Sequence, residues 1–281
     1  MKIILILSLF LPGTLFAQIN IAGVITNRNK EPLPLTNIAL LHKNTGTITN
    51  DKGMFTISNI LPDDTIKITN IAFASKLISV KDLINMDTII LDEDIKKLPE
   101  VEIRNFLVYR NDKELGFFNQ PENGEFKLKP GNQIALYIFN RMGKEAWIKG
   151  VSFKVKNKGR CNNSIRIRIL QSDTLKGQPT TDLLSENVLI TNSELKKSNY
   201  VDLTAYKVIL PPEGVFVVIE WVYPDTVCDA NSYSSIAACL SVPENLVWFN
   251  FRDRAWTKNF RPRLPNGNYM TPDVGLKVAY R

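Results

Sequence analysis

The sequence has little of the chemistry on which most enzyme active sites depend. It contains one histidine, His42, and three cysteines in 281 residues. A zinc site built from histidine ligands therefore lacks its residues. No Cys–His or Ser–His pairing is usable either, since His42 lies in the first of the two domains predicted below. Gly-x-Ser-x-Gly and phosphate-binding glycine motifs are also absent. These absences predict a protein that is not an enzyme and that uses no metal or cofactor.

Long hydrophobic runs are missing as well. No stretch approaches the roughly 18 apolar residues that a transmembrane helix requires. Residues 1–17 carry a positive Lys2, a short apolar run from Ile3 to Leu11, and Ala17 before Gln18. This is the pattern of a secretory signal peptide. We therefore expect an exported chain without a transmembrane segment.

The cysteines are too few and odd in number for a disulfide scaffold. Cys228 and Cys239 are separated by ten residues across a polar stretch and could pair in an oxidising compartment. The alternative is that both of these residues and Cys161 are ordinary, partly buried thiols.

The first part of the mature chain, residues 18–103, shows a β pattern. Asn20–Thr26 alternates apolar and polar residues as a half-buried strand does. Asn50–Gly53 and Pro62–Asp64 carry turn residues. About seven short strands separated by such turns predict a compact sandwich.

Several short motifs in this region occur in the order typical of one family. They are Ile21–Ile25, Glu31–Leu33, Thr36–Ile38, Gly46–Thr47, Thr49–Phe55 and Leu98–Val101. Residues 19–103 thereby resemble the carboxypeptidase-regulatory-like domain, which is common in exported proteins of the Bacteroidetes. The resemblance implies a seven-stranded, transthyretin-like or Ig-like sandwich. It implies no peptidase activity, because the family is an accessory domain.

Residues 104–281 differ from the first part in charge. They contain twenty-five Lys and Arg against seventeen Asp and Glu, whereas residues 18–103 contain nine against eleven. A basic domain is compatible with an anionic polysaccharide, lipopolysaccharide or nucleic acid, or simply with a solvated surface. Export and the lack of interleaved aromatic residues argue against nucleic acid.

Strand patterns continue through residues 104–281. Val215–Trp221 is apolar up to Glu220 and is predicted to be a central strand, and Gly150 is predicted to be a bulge. Ser164–Leu170 alternates isoleucine with arginine and is predicted to have one wet, basic face. We expect eight to ten strands in a jelly-roll-like β-sandwich, so that the whole chain is all-β.

The segment from Cys228 to Pro272 is long, polar and aromatic, and it is predicted to be a binding loop. Trp and Tyr faces stack on sugar rings, and Arg binds anionic groups. The alternative is that its aromatic residues fill the core and its arginines are surface charge. The candidate ligand residues are Arg252, Arg254, Trp256, Arg261 and Tyr269.

Three acidic residues, Glu213, Glu220 and Asp225, are nominal candidates for a glycosidase pair. A satisfied, buried Glu220 is the preferred interpretation. We therefore expect an exported, non-catalytic protein of the cell envelope, in the periplasm, at the outer-membrane periphery or at the cell surface. Its C-terminal sandwich is expected to bind a glycan or an envelope protein. The alternatives are a carbohydrate-active or peptide-processing accessory enzyme, and a purely structural envelope protein.

Overall fold

The structure is a computed structural model, and the predicted signal peptide lies outside the residues that it describes. The described residues are 19–41, 43, 46–71, 73–94, 108–127, 129–162, 164–173, 177–222, 228–229, 231–242, 244–251, 255–258 and 267–281. Within them the fold is all-β, as predicted, with only short helical segments. No helix in this part of the chain is long and apolar enough to cross a membrane.

Seven strands form the N-terminal sandwich within described residues 19–90, in agreement with the predicted number. They are β1 (Ile19–Thr26), β2 (Asn37–Leu40), β3 (Gly46–Ile48), β4 (Met54–Ile60), β5 (Thr65–Thr69), β6 (Lys76–Ser79) and β7 (Thr88–Ile90). One sheet has the order β4-β1-β7 and the other β3-β2-β5-β6. A short helix, α1 (Val80–Leu83), joins β6 to β7.

The turn predicted between β3 and β4 is present. Gly53 has a φ of 70°, a left-handed value that glycine adopts without strain. The Asn50 side chain accepts hydrogen bonds from the backbone N–H groups of Lys52 and Met54, both at 3.0 Å. Isoleucine-rich inner faces of the two sheets, including Ile25, Ile57 and Ile66, then meet in a core of their own.

Fourteen strands form the C-terminal sandwich within the described residues, more than the eight to ten predicted. They are β8 (Asn111–Gly116), β9 (Glu122–Phe126), β10 (Asn132–Phe139), β11 (Ala146–Asn157), β12 (Ile165–Ser172), β13 (Pro179–Asp182), β14 (Val188–Ile190), β15 (Ser198–Asp202), β16 (Ile209–Leu210), β17 (Gly214–Trp221), β18 (Ser235–Val242), β19 (Val247–Phe251), β20 (Tyr269–Pro272) and β21 (Val274–Tyr280). Strand β8 is polar and mostly exposed, and β9 is polar up to its buried Phe126, so both lack the apolar alternation that marks a strand in sequence.

These strands form two sheets that face each other. The six-stranded sheet has the order β13-β12-β17-β10-β19, with β14 beside β12. The eight-stranded sheet has the order β20-β18-β11-β21-β8, with β15 and β16 beside β11 and β9 beside β18. Phe126, Phe153, Trp221 and Phe249 are among the largest side chains of the core between them.

Two detailed predictions for this sandwich are confirmed. Strand β17 is central, between β12 and β10, and all eight of its residues are buried. Gly150 lies at a register shift between β11 and β21. A side chain there would meet the carbonyl oxygen of Val201, since a Cβ atom would lie 2.5 Å from it.

The predicted wet face of β12 is wrong. Arg166 is only 3% exposed and Glu220, its direct neighbour on β17, is fully buried. The arginine side chains that alternate with isoleucine do point away from the main core, but at Arg166 and Glu220 the N-terminal sandwich covers that outer face. Arg168 is partly exposed and pairs with Asp182 of β13.

A buried polar bridge joins the two sandwiches at this place. The Arg166 guanidinium lies 3.4 Å from the Glu220 carboxylate. Asn37, in β2, donates its side-chain amide to the other carboxylate oxygen of Glu220 at 2.6 Å. Arg166 also donates to the backbone carbonyl of Leu35 at 2.8 Å. The N-terminal sandwich thus supplies hydrogen-bond partners to both charges of the C-terminal ion pair.

The predicted pairing of Cys228 with Cys239 is also wrong. Cys228 is bonded to Cys161, with a Cα–Cα distance of 5.9 Å. Cys239 is a buried free thiol in the middle of β18, and its sulfur lies 3.1 Å from the Thr271 hydroxyl. The Cys239 side chain is directed at the neighbouring strand β20, where Thr271 is its register partner.

The disulfide leads to a first prediction. Alkylation of the unfolded, non-reduced protein should label Cys239 alone, and reduction should release the thiols of Cys161 and Cys228. Replacing both bonded cysteines by alanine should lower the free energy of unfolding by about 4 kcal/mol. The bridge joins two residues that are 67 positions apart in sequence, and it thereby restricts the unfolded chain. Peptide mapping that finds Cys228 joined to Cys239 would contradict the structure.

The polar bridge leads to a second prediction. Glu220→Gln should lower the free energy of unfolding by about 3–5 kcal/mol, because it leaves the Arg166 charge buried without a carboxylate. The double variant Arg166→Met, Glu220→Leu should lose less unfolding free energy than the sum of the losses in the single variants Arg166→Met and Glu220→Leu. Urea denaturation of the three variants measures these losses. Asp92→Asn, in the exposed pair with Arg28, is the matched control and should leave stability unchanged. Strict additivity of the two buried changes would contradict the prediction.

Candidate functional site

The outer face of the six-stranded sheet carries the candidate site. In β10, Ile134, Leu136 and Ile138 point into the main core, whereas Ala135 and Tyr137 belong to a second, outer hydrophobic cluster. The two sets alternate because successive side chains of a strand point to opposite faces. A hydrophobic cluster on a face directed away from the core is a feature that needs explanation.

Aromatic rings make up most of this outer cluster. Tyr137 and Phe216 are direct cross-strand neighbours with ring centroids 4.9 Å apart. Phe139 meets Tyr137 edge-on at 4.8 Å, and Trp248 meets Phe216 edge-on at 6.5 Å. Such pairs are favourable beyond the area that they bury. The rings therefore hold one another in fixed positions.

A pocket of about 420 Å³ opens over this cluster. Its floor includes Tyr137, Phe139, Leu246 and Trp248. The remaining residues that line it are polar or small: Ser172, Asp173, Gly177, Glu213, Glu244 and Lys258. Phe139 is 40% exposed, so part of its side chain is accessible to a ligand. An apolar floor with a few polar groups at the rim is the usual composition of a small-molecule site.

The Tyr137 ring is fixed by its hydroxyl group. The hydroxyl donates a hydrogen bond to the backbone carbonyl of Glu213 at 2.7 Å. Burial raises the pKa of Tyr137 above its usual value, and the Glu213 charge raises it further. The phenol therefore stays neutral at physiological pH, and it keeps the turn before β17 close to the aromatic floor.

Lys258 lies over the pocket's tryptophan. Its ammonium nitrogen is 5.0 Å from the centroid of the Trp248 ring, within the range of a cation–π interaction. Thr257 exchanges backbone hydrogen bonds with Phe249, at 2.8 and 2.9 Å, which attaches residues 255–258 to β19. The lysine is thus placed by backbone pairing rather than by a free loop.

The described lining residues of the pocket carry charges of both signs. Asp173, Glu213 and Glu244 contribute three carboxylates, and Lys258 contributes the only cationic side chain among these residues.

The five predicted ligand residues do not lie together in the structure. Trp256 is partly buried and packs against the outer aromatic cluster, beside the pocket. Tyr269 begins β20, which belongs to the other sheet. Arg252, Arg254 and Arg261 lie outside the described residues. The predicted long loop is wrong in outline, since β18, β19 and β20 all lie between Cys228 and Pro272.

Glu213 and Glu220, two of the three nominal glycosidase residues, do not form a pair. Glu220 is fully buried and bonded to Asn37 and Arg166. Glu213 lies at the other end of β17, and at about 3.3 Å per residue the two are roughly 23 Å apart. Asp225 lies outside the described residues. No group of three or more His, Cys, Asp or Glu side chains that could hold a metal ion occurs among the described residues.

Sequence reasoning did not identify Tyr137 and Phe139 as site residues. Ile134–Asn140 is almost wholly apolar, which is typical of a strand in the interior of a sandwich. The available signal was its period of two, which sets Tyr137 and Phe139 on the face opposite Ile134, Leu136 and Ile138.

The outer cluster leads to a third prediction. Phe216→Ala should lower the free energy of unfolding by about 3–5 kcal/mol, because this fully buried ring packs between Tyr137 and Trp248. Phe139→Ala is the matched control and should cost far less, since that ring is partly exposed. If chemical denaturation gave equal losses of unfolding free energy for the two variants, the outer cluster would not be a packed second core.

Comparison with known proteins identifies the first part of the chain. None of the curated proteins matches it. The family model of the CarboxypepD_reg-like domain matches residues 21–103, which confirms the resemblance seen in the sequence motifs. This match spans all but the start of the seven strands β1–β7. The N-terminal sandwich of this protein is therefore a CarboxypepD_reg-like domain.

Proposed function

We propose that the chain is an exported, non-catalytic binding protein of the cell envelope of a Bacteroidetes-type bacterium. Its CarboxypepD_reg-like domain is a docking and spacing module, and its C-terminal sandwich binds a glycan. The observation that carries the proposal is the aromatic pocket on the outer face of the six-stranded sheet.

The shape and chemistry of the pocket support a sugar ligand. Its volume of about 420 Å³ lies within the usual range for small-molecule sites. The exposed ring of Phe139 and the fixed ring of Tyr137 offer flat apolar surfaces, on which the C–H face of a sugar ring can stack. Carboxylates and a hydroxyl at the rim can accept hydrogen bonds from sugar hydroxyl groups.

The disulfide supports export. Disulfides persist in oxidising compartments and are rare in the bacterial cytosol. The Cys161–Cys228 bridge agrees with the signal peptide predicted for residues 1–17.

The polar bridge supports the docking role of the N-terminal domain. Gln133 and Tyr137 lie on the same face of β10, and four residues of strand span roughly 13 Å. Gln133 is the cross-strand neighbour of Glu220, which the N-terminal domain covers through Asn37. The domain therefore sits beside the pocket and fixes how the pocket is presented.

A fourth prediction tests the pocket. A glycan array with the mature chain should identify an oligosaccharide ligand, and Phe139→Ala should weaken its binding about ten-fold through loss of stacking. Trp256→Ala should also weaken binding, because Trp256 packs against the same cluster. Calorimetry measures both effects.

The control is Tyr200→Ala, which removes a ring that is 51% exposed on the other sheet and should not change binding. Unchanged affinity in Phe139→Ala would contradict the proposed site. Hydrolysis of the ligand, abolished by Glu213→Gln, would support the accessory enzyme instead. Failure to bind any glycan would support a protein partner or a structural role.

A further inference from the structure

We propose that the pocket selects a glycan with a free, protonated amino group. The ammonium group of the sugar replaces that of Lys258 over Trp248, and the exposed carboxylates of Glu213 and Glu244 balance its charge. This inference rests on the proposed glycan-binding function and adds to it the chemical class of the ligand.

The first argument is the sign of the charge around the pocket. Glu213 and Glu244 are exposed at the rim, where a ligand can reach both carboxylates. Exposed carboxylates raise the local concentration of cationic ligands near them. An anionic sugar would meet repulsion from these groups, whereas an amino sugar would meet attraction.

The second argument is the position of Lys258. The protein's own ammonium group lies 5.0 Å from the Trp248 centroid, so the ring face is already used for a cation. Tyr137 and Phe139 stand beside it and complete an aromatic surface of the kind that recognises ammonium groups. A ligand ammonium can make the same contact once the lysine side chain swings away.

The third argument is that one ligand class satisfies both halves of the site. The apolar floor favours the ring of a sugar, and the aromatic and acidic groups favour a positive charge. An amino sugar carries both features within a single residue. A lysine side chain of a peptide carries the charge but not the ring.

The experiment compares two oligosaccharides that share one backbone with an anionic oligosaccharide. Glucosamine oligomers, N-acetylglucosamine oligomers of the same length and galacturonic acid oligomers are titrated into the mature chain by calorimetry, at a pH where the amine is protonated. We expect the order glucosamine, then N-acetylglucosamine, then galacturonic acid, with the preference falling as salt is added. A lysine-containing peptide of equal charge is expected to bind more weakly.

Two variants test the roles of the charged residues. Glu213→Gln should reduce binding of the glucosamine oligomer more than that of the N-acetylated one. Lys258→Met should raise affinity for the glucosamine oligomer about three- to five-fold, because the ring face becomes vacant and a like charge is removed. Lys149→Met is the matched control, since Lys149 lies 5.7 Å from the Trp147 centroid on the other sheet. This control variant should not change the affinity for either oligomer.

Each outcome decides between distinct claims. Equal or tighter binding of the neutral or anionic oligomer overturns the charge selection and leaves the glycan-binding function standing. Tighter binding of the peptide overturns the assignment to a sugar. Binding of none of the three oligomers, when the glycan array does identify a ligand, overturns this inference alone. Failure to bind any glycan on the array overturns the proposed function and this inference together.

Discussion

The bridge of Asn37, Arg166 and Glu220 is the contact on which the arrangement of the two sandwiches depends. Two charges taken out of water are costly unless each is paired and hydrogen-bonded. The ion pair between Arg166 of β12 and Glu220 of β17 would by itself leave some of these hydrogen-bonding groups without a partner. The N-terminal domain adds an amide to the carboxylate and a backbone carbonyl to the guanidinium, at 2.6 and 2.8 Å. Because these partners have defined directions, the bridge specifies one docking geometry, which apolar contact alone would not do.

A single alternating pattern builds both this interface and the pocket. The outward positions of β17 are Glu220, Val218 and Phe216, and those of β10 run from Gln133 to Tyr137. Along each strand the outer face changes from polar to aromatic. The polar end is covered by the CarboxypepD_reg-like domain and the aromatic end opens into the pocket. The inward positions between these outward residues are apolar throughout. The packing of the core therefore does not restrict which residues occupy the outer face.

Sequence reasoning succeeded where local patterns decide structure. The seven N-terminal strands, the turn at Gly53, the bulge at Gly150 and the central position of β17 all follow from period-two alternation or from glycine geometry. It failed where distant residues decide. Arg166 looked solvated because the residues that cover it lie about 130 positions earlier. Cys228 was matched to a near neighbour in sequence, although its partner is 67 residues away. The pocket was missed for the same reason, because its lining residues are far apart in sequence. They come from β10, from the segment at the end of β12, from the turn before β17, from β19 and from Lys258.

The most direct test of the binding site uses the four tryptophans of the chain as internal reporters. Trp248 lies in the pocket and Trp256 beside it. Trp221 is buried in the main core, where its indole donates to the Ser234 carbonyl at 2.8 Å, and Trp147 lies on the other sheet. An NMR titration of the indole N–H signals with a glycan ligand should shift the Trp248 and Trp256 signals and leave those of Trp221 and Trp147 in place. A shift of Trp147 with Trp248 unchanged would contradict the location of the site.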